Sequence, residues 1–213
     1  IEVTIREVCQ TVGEAEQLVG DFMRRWEITA GLLYRPGEIK VIRIGEKTVS
    51  DGPLMEERAV VFGGSVNLHS QVRIVIRRGE LPPFPKEGFK LSPDVVSMYS
   101  RYQGYVERRE PLLSMAYICL TILEASSGSR KQAAARLVVD EKVLKKLGEL
   151  TSTRGGDEAR KAVGLASPLS DAEREWVEAS VKLLIARAAE LLAGLELQPL
   201  GFDDPPCFTV PVA

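Results

Sequence analysis

The stretch "PLLSMAYICLTILEA", residues 111 to 125, decides how the rest of the chain is read. Leu112, Leu113, Met115, Ile118, Cys119, Ile122 and Leu123 leave almost no polar side to it, the pattern of a helix buried all round rather than one lying on a surface. It is shorter than the roughly 20 residues needed to cross a bilayer. It is expected to be the central helix of a bundle.

Working outward from it, further helices are expected at about 93–108, 129–137, 140–151 and 170–194. Ser92-Pro93-Asp94 supplies an N-cap, a proline at the first helical position and an acid in the first turn. Ser170 with Glu173 forms a capping box, and Trp176, Val177, Ser180, Val181, Leu184, Ala188 and Leu191 then make a stripe that can pack on the central helix.

Toward the N-terminus the pattern changes. "IEVTIREV" (1–8) alternates apolar and polar residues, as do "EIKVIRI" (38–44) and parts of "AVVFGGSVNLHSQVRIVIRR" (59–78), where Gly63-Gly64 suits a bulge or hairpin turn. Between the first two runs, Thr11 and Glu14 make a capping box ahead of a helical stripe of Ala15, Leu18, Val19, Phe22 and Trp26, expected to pack on a sheet. The expected fold class is therefore α+β, a small N-terminal sheet domain followed by an all-helical bundle. "GELPPFPKEGFKLSP" (79–93), with four of the twelve prolines, reads as a semi-rigid linker. The expected organisation is a domain over 1–80, a linker over 81–92, a bundle over 93–195 and a proline-rich tail over 196–213.

Hydrophobic residues make up 45% and charged residues 27%, an ordinary balance for a folded chain, and a net charge of -2 supplies no global field toward nucleic acid or anionic lipid. Binding to either must come from a local patch. Cys9, Cys119 and Cys207 are odd in number and far apart, which indicates neither a disulfide framework nor a zinc site and favours a reducing cytoplasm. The sequence opens at Ile1 rather than Met, so its true start is left open.

Several chemistries lack their residues. The single histidine, His69, has no partner at metal-ligand spacing, and a serine triad would need it as base without the nucleophile-elbow motif. Glycine-rich dinucleotide and phosphate-loop signatures are absent. Adjacent acid pairs such as Glu56-Glu57 and Asp157-Glu158 point in different directions and read as solvated turns and helix starts. No catalytic residue, metal site or cofactor is expected, and whether the chain is an enzyme is left open with the balance toward not.

Between 129 and 161, nine basic residues face five acids. Lys142, Lys145 and Lys146 form a local positive group, although Val143, Leu144, Leu147 and Leu150 make the same segment an ordinary amphipathic helix. In "MYSRYQGYVERRE" (98–110), Tyr99, Tyr102 and Tyr105 lie among Arg101, Arg108 and Arg109, a composition that suits stacking and phosphate contact. Tyr99 and Tyr102 also share a helix face, as a core or a dimer seam requires, and the seam is favoured.

The phrases "RYQGYVERREPLLSMAYICLTILEAS", "VLKKLGELTSTRGGDEARKA" and "PLSDAEREWVEASVKLLIARAAE" together resemble uncharacterised bacterial proteins whose C-terminal half is similar to HEPN domains, over roughly 95–193. The resemblance implies a dimerising helical bundle, and in many such domains metal-independent ribonuclease activity in defence systems. An active member carries an Arg followed a few residues later by a His. Arg154 matches the Arg, but Gly155 to Lys161 contain no His, and an arginine that stays protonated cannot relay protons as imidazole does. What the resemblance leaves to Arg154, Arg160 and Lys161 is anion binding around the Gly155-Gly156 turn, against the alternative of a plain connector. The expected function is a non-catalytic, cytoplasmic, HEPN-like scaffold or nucleic-acid-associated module working as a homodimer, with RNA or a protein as partner and no membrane. The alternative is a divergent metal-independent endoribonuclease centred on Arg154.

Overall fold

The computed structural model describes residues 11–34, 39–43, 48–51, 66–69, 72–76, 82–85, 89–153 and 168–202. Helix α1 spans Val12–Leu33 and is followed by strands β1 (Ile39–Arg43), β2 (Thr48–Asp51), β3 (Val66–His69) and β4 (Val72–Ile76). Five helices complete the order: α2 (Pro93–Val106), α3 (Leu112–Ser127), α4 (Arg130–Leu137), α5 (Glu141–Thr153) and α6 (Asp171–Leu192).

The α+β expectation, with its N-terminal sheet domain, is corrected. Among the residues whose side chains are described there are six helices and no strand. Among the described residues, backbone pairing links β1 to β4 and β2 to β3, both antiparallel, with no common sheet joining the two pairs; the strand expected at 1–8 lies outside the described residues. Alternation predicts a half-buried sheet, but each of the two-stranded ribbons described is too small to form a layer. Helix α1 lies against β1 and β3 and also sends Ile28 and Leu32 into the same hydrophobic core as α2, α3 and α6.

That core is organised around α3, which buries Leu112, Leu113, Met115, Ala116, Cys119, Leu120 and Leu123 and packs against α2, α4, α5 and α6. The helices expected around it coincide with α2, α4, α5 and α6 to within a few residues. Their ends are set by local chemistry. Thr11 Oγ1 accepts from the Glu14 amide, Ser92 Oγ from Val95, Ser129 Oγ from Gln132, and Ser170 with Glu173 closes a reciprocal capping box. Gly128, with φ of 87°, takes the left-handed conformation that stops α3 without a Cβ penalty.

The C-terminal segment is tied back to the bundle by one buried side chain. Arg187 on α6 donates Nη1 to the carbonyls of Leu137 and Val138 at 2.9 and 3.0 Å, and Nη2 to that of Gln198 at 2.8 Å. Burial pushes its guanidinium below its ordinary pKa range, with Glu190 opposing. Beside it, Leu200 forms a short parallel bridge with Val139, donating to Val138 O and accepting from the Asp140 amide. These bonds hold Val138 at φ of 54°, a left-handed conformation costing a β-branched residue about 1–2 kcal/mol.

The proline-rich stretch is engaged with α1 through its described residues. The buried Trp26 indole donates to the carbonyls of Pro82 and Pro83 at 3.3 and 3.0 Å, and Phe84 lies against Trp26 and Phe22. Prolines suit this place because their carbonyls accept while no amide is left unpaired. No single described helix is long and apolar enough to cross a membrane.

Candidate functional site

Helix α2 has two faces with different work. Val95, Met98, Tyr99 and Tyr102 turn inward, while Pro93, Ser97, Ser100 and Gly104 recur at helical spacing on another side. Because those residues are small, they leave a groove of about 1080 Å³ between α2, one side of α1 and the start of α3. Asp21 and Arg24 enter it from α1, Ser92, Ser97, Ser100 and Arg101 from α2, and Arg109, Glu110 and Ser114 from the turn and helix that follow.

The turn has a specific construction. Arg108 sits at φ of 59°, its amide bonds to Tyr105 O and the Arg109 amide bonds to Gly104 O, which is the Schellman arrangement with arginine where glycine is usual. It reverses the chain so that Arg109 and Glu110 come back over the end of α2. Glu110 also donates its amide to Gly104 O at 3.2 Å.

Three guanidinium groups from three parts of the chain thus line one groove, and each is held by a carboxylate of the same chain. Arg24 pairs with Glu27 at 2.8 Å, Arg109 with Glu107 at 2.6 Å, and Arg101 with Glu110 at 3.6 Å. The Arg109 hydrogen bond, with a second from Gln103, holds the exposed Glu107 carboxyl below its ordinary range. Arg101 has the loosest partner and its side chain is about half exposed, while Glu110 is largely covered. None of the described lining residues is aromatic, and beside the arginines the polar lining consists of serine hydroxyls and the carboxylates of Asp21 and Glu110. Guanidinium and hydroxyl donors without rings make a site for the oxygens of an anion rather than for a base face.

The three tyrosines expected to stack or to form a seam are used inside the single chain. Tyr99 and Tyr102 are 1% and 0% exposed, so neither offers a face to a base. Tyr99 donates to Glu27 O on α1 at 3.4 Å, and burial drives its phenol well above the ordinary range. Tyr102 and Tyr105 both donate to the Glu178 carboxylate on α6, at 3.2 and 3.1 Å. Together they anchor α2 to α1 and α6, and so fix one wall of the groove.

The lysines of α5 do not line the groove. Lys142 is exposed, Lys145 pairs with Glu141 at 3.1 Å, and the Lys146 ammonium lies over the rings of Trp176 and Phe202 at 4.7 and 5.3 Å. Val143, Leu144, Leu147 and Leu150 are buried on the opposite side, as the amphipathic pattern required. Arg154, Arg160 and Lys161 lie outside the described residues. Among the described residues no three of His, Cys, Asp or Glu come together.

No family model, curated protein or solved structure matches this chain. The sequence offers Arg101, Arg108 and Arg109 together for phosphate contact while favouring a seam for that stretch, and gives no such signal for Arg24, Asp21 or the serines. The signal that was present was the small-residue stripe Pro93, Ser97, Ser100 and Gly104, which marks a helix face left uncovered by bulky side chains.

Proposed function

We propose that the protein is a non-catalytic helical module that holds RNA by its phosphate backbone in the α1–α2 groove. The observation carrying this is the convergence of Arg24, Arg101 and Arg109, from separate elements, on one groove edged with serine hydroxyls. Arginine forks match phosphate oxygens in pairs, and hydroxyls add further donors. With no ring among the described lining residues, the contacts are to backbone and independent of base identity. RNA as the source of phosphate, a homodimer as the working form and a cytoplasmic setting all come from the resemblance of residues 95–193 to HEPN domains.

The test is a titration of labelled single-stranded RNA at several salt concentrations, with wild type beside Arg24→Ala/Arg101→Ala/Arg109→Ala. Three phosphate contacts predict a slope of about -2 in log affinity against log salt, flattened in the variant. Identical isotherms for the two proteins, or binding that ignores salt, would overturn the proposal. So would metal-independent cleavage of the RNA by wild type that disappears in Arg154→Ala, which belongs to a ribonuclease.

A further inference from the structure

Each groove arginine is already neutralised from within, and this bears on what the groove accepts. A ligand oxygen therefore competes with Glu27, Glu107 or Glu110 for the charge of its guanidinium, although each guanidinium keeps further N–H donors open. Each carboxylate is tethered nearby, so it competes at an effective concentration in the millimolar range or above. A free carboxylate offers the same charge and geometry as the glutamate it replaces, and therefore gains nothing from the exchange. A single inorganic phosphate has more charge, yet meets the opposing field of the tethered glutamate at whichever arginine it contacts.

A ligand with several phosphates in a row is different. It competes with two or three internal glutamates while losing its translational freedom once, so its later contacts are intramolecular. Arg101 is the natural point of entry, since its 3.6 Å contact with Glu110 is the loosest of the three pairs and its side chain is half exposed. Arg109, more exposed still at 64%, follows on the same side of α2.

We infer that Glu107 and Glu110 act as built-in competitors that make the groove selective for ligands carrying consecutive phosphate groups and deaf to single carboxylates and single phosphates. This rests on the groove binding anions and names the class it accepts. RNA and inorganic polyphosphate share the chemistry, and separate arms of the test tell them apart.

The test is calorimetric titration of the whole chain, at constant ionic strength, with acetate, inorganic phosphate, tripolyphosphate and a short single-stranded oligoribonucleotide. Wild type is expected to bind tripolyphosphate or the oligonucleotide at least about tenfold tighter than inorganic phosphate, a difference of about 1.4 kcal/mol, and to show no heat with acetate. Glu107→Gln and Glu110→Gln are expected to raise the affinity for inorganic phosphate and to shrink that preference. Because Glu107 is exposed, its variant keeps the test valid where Glu110→Gln does not fold. Equal affinities for phosphate and tripolyphosphate in wild type, or a preference unchanged in Glu107→Gln, would overturn the competitor role while leaving anion binding in place. No heat with any of the four ligands would remove the groove reading as well. Tighter binding of the oligonucleotide than of tripolyphosphate identifies RNA as the source, and the reverse identifies polyphosphate.

Discussion

Replacing Arg187 by methionine tests how the C-terminal segment is held. Arg187 is 8% exposed and makes three bonds to carbonyls, of Leu137, Val138 and Gln198. Bonds from a charged donor contribute about 1.5–3 kcal/mol each, so the gross loss is several kcal/mol. Two effects offset it. Methionine keeps the packing of the aliphatic stem, and the guanidinium no longer has to be kept dehydrated. Val138 O also keeps its bond from the Leu200 amide. The net destabilisation expected is about 2–4 kcal/mol, or roughly 4–16 °C in Tm for a chain of this length. Arg187→Lys keeps the charge but not the planar fork, and should lose about half as much. Thermal melts followed by circular dichroism measure the global loss. Hydrogen exchange at the Leu200 and Asp140 amides reports the local one, since both amides belong to the bridge beside Arg187. A Tm within about 2 °C of wild type, where a fall of 4 °C or more is expected, would show that the carbonyl clamp contributes little. So would unchanged protection at the two amides.

Further expectations follow from single residues. A Cβ at Gly31 would overlap the Tyr99 hydroxyl, so Gly31→Ala should cost about 1–3 kcal/mol in urea unfolding. Gly20→Ala, on the same helix with open space around it, should stabilise by about 0.5–1 kcal/mol; the same sign for both would contradict the packing of Tyr99 on α1. Arg108→Gly relieves the left-handed strain at the Schellman turn and should stabilise by roughly 1 kcal/mol, and destabilisation would show that the arginine side chain holds the turn. Burial pushes the Cys119 thiol up to about 12. The folded state then keeps a proton that the unfolded chain releases, so this contribution is complete below the unfolded value, about 8.5, and is lost as pH rises toward 12. Tyr99 acts with the same sign at higher pH. Comparing Cys119→Ala with wild type therefore isolates the thiol, and parallel stability curves between pH 9 and 12 would contradict its burial as the cause.

The helical half was legible because its signals were strong and local. Ser92-Pro93 and Ser170 mark starts, and the all-round apolar content of 111–125 marks α3 as the centre. What misled was the period-two alternation before residue 80. Alternation shows that a segment can pair, but not whether its partners assemble into a layer, and the destination of α1 depended on that. Trp26, Ile28 and Leu32 would pack equally well on a sheet or on helices, and only the three-dimensional arrangement distinguishes the two. The groove was legible in part. Arg101 and Arg109 were visible as cations, but joining them to Arg24 needs the packing of α1 on α2, a contact between residues far apart in sequence. The tyrosines show the same ambiguity from the other side, since helical spacing marks a shared face without saying what covers it.

The central claim is that phosphate oxygens are held in the α1–α2 groove and not on the lysines of α5. Amide chemical shifts of the isotopically labelled whole chain, recorded while a short single-stranded RNA is added, test it most directly. Ser97, Ser100, Arg101, Gly104 and Glu110 are expected to move together along one saturating curve, with Lys142, Lys145 and Lys146 still. Shifts confined to the α5 lysines or to residues 154–161, with the groove amides unmoved, would contradict it.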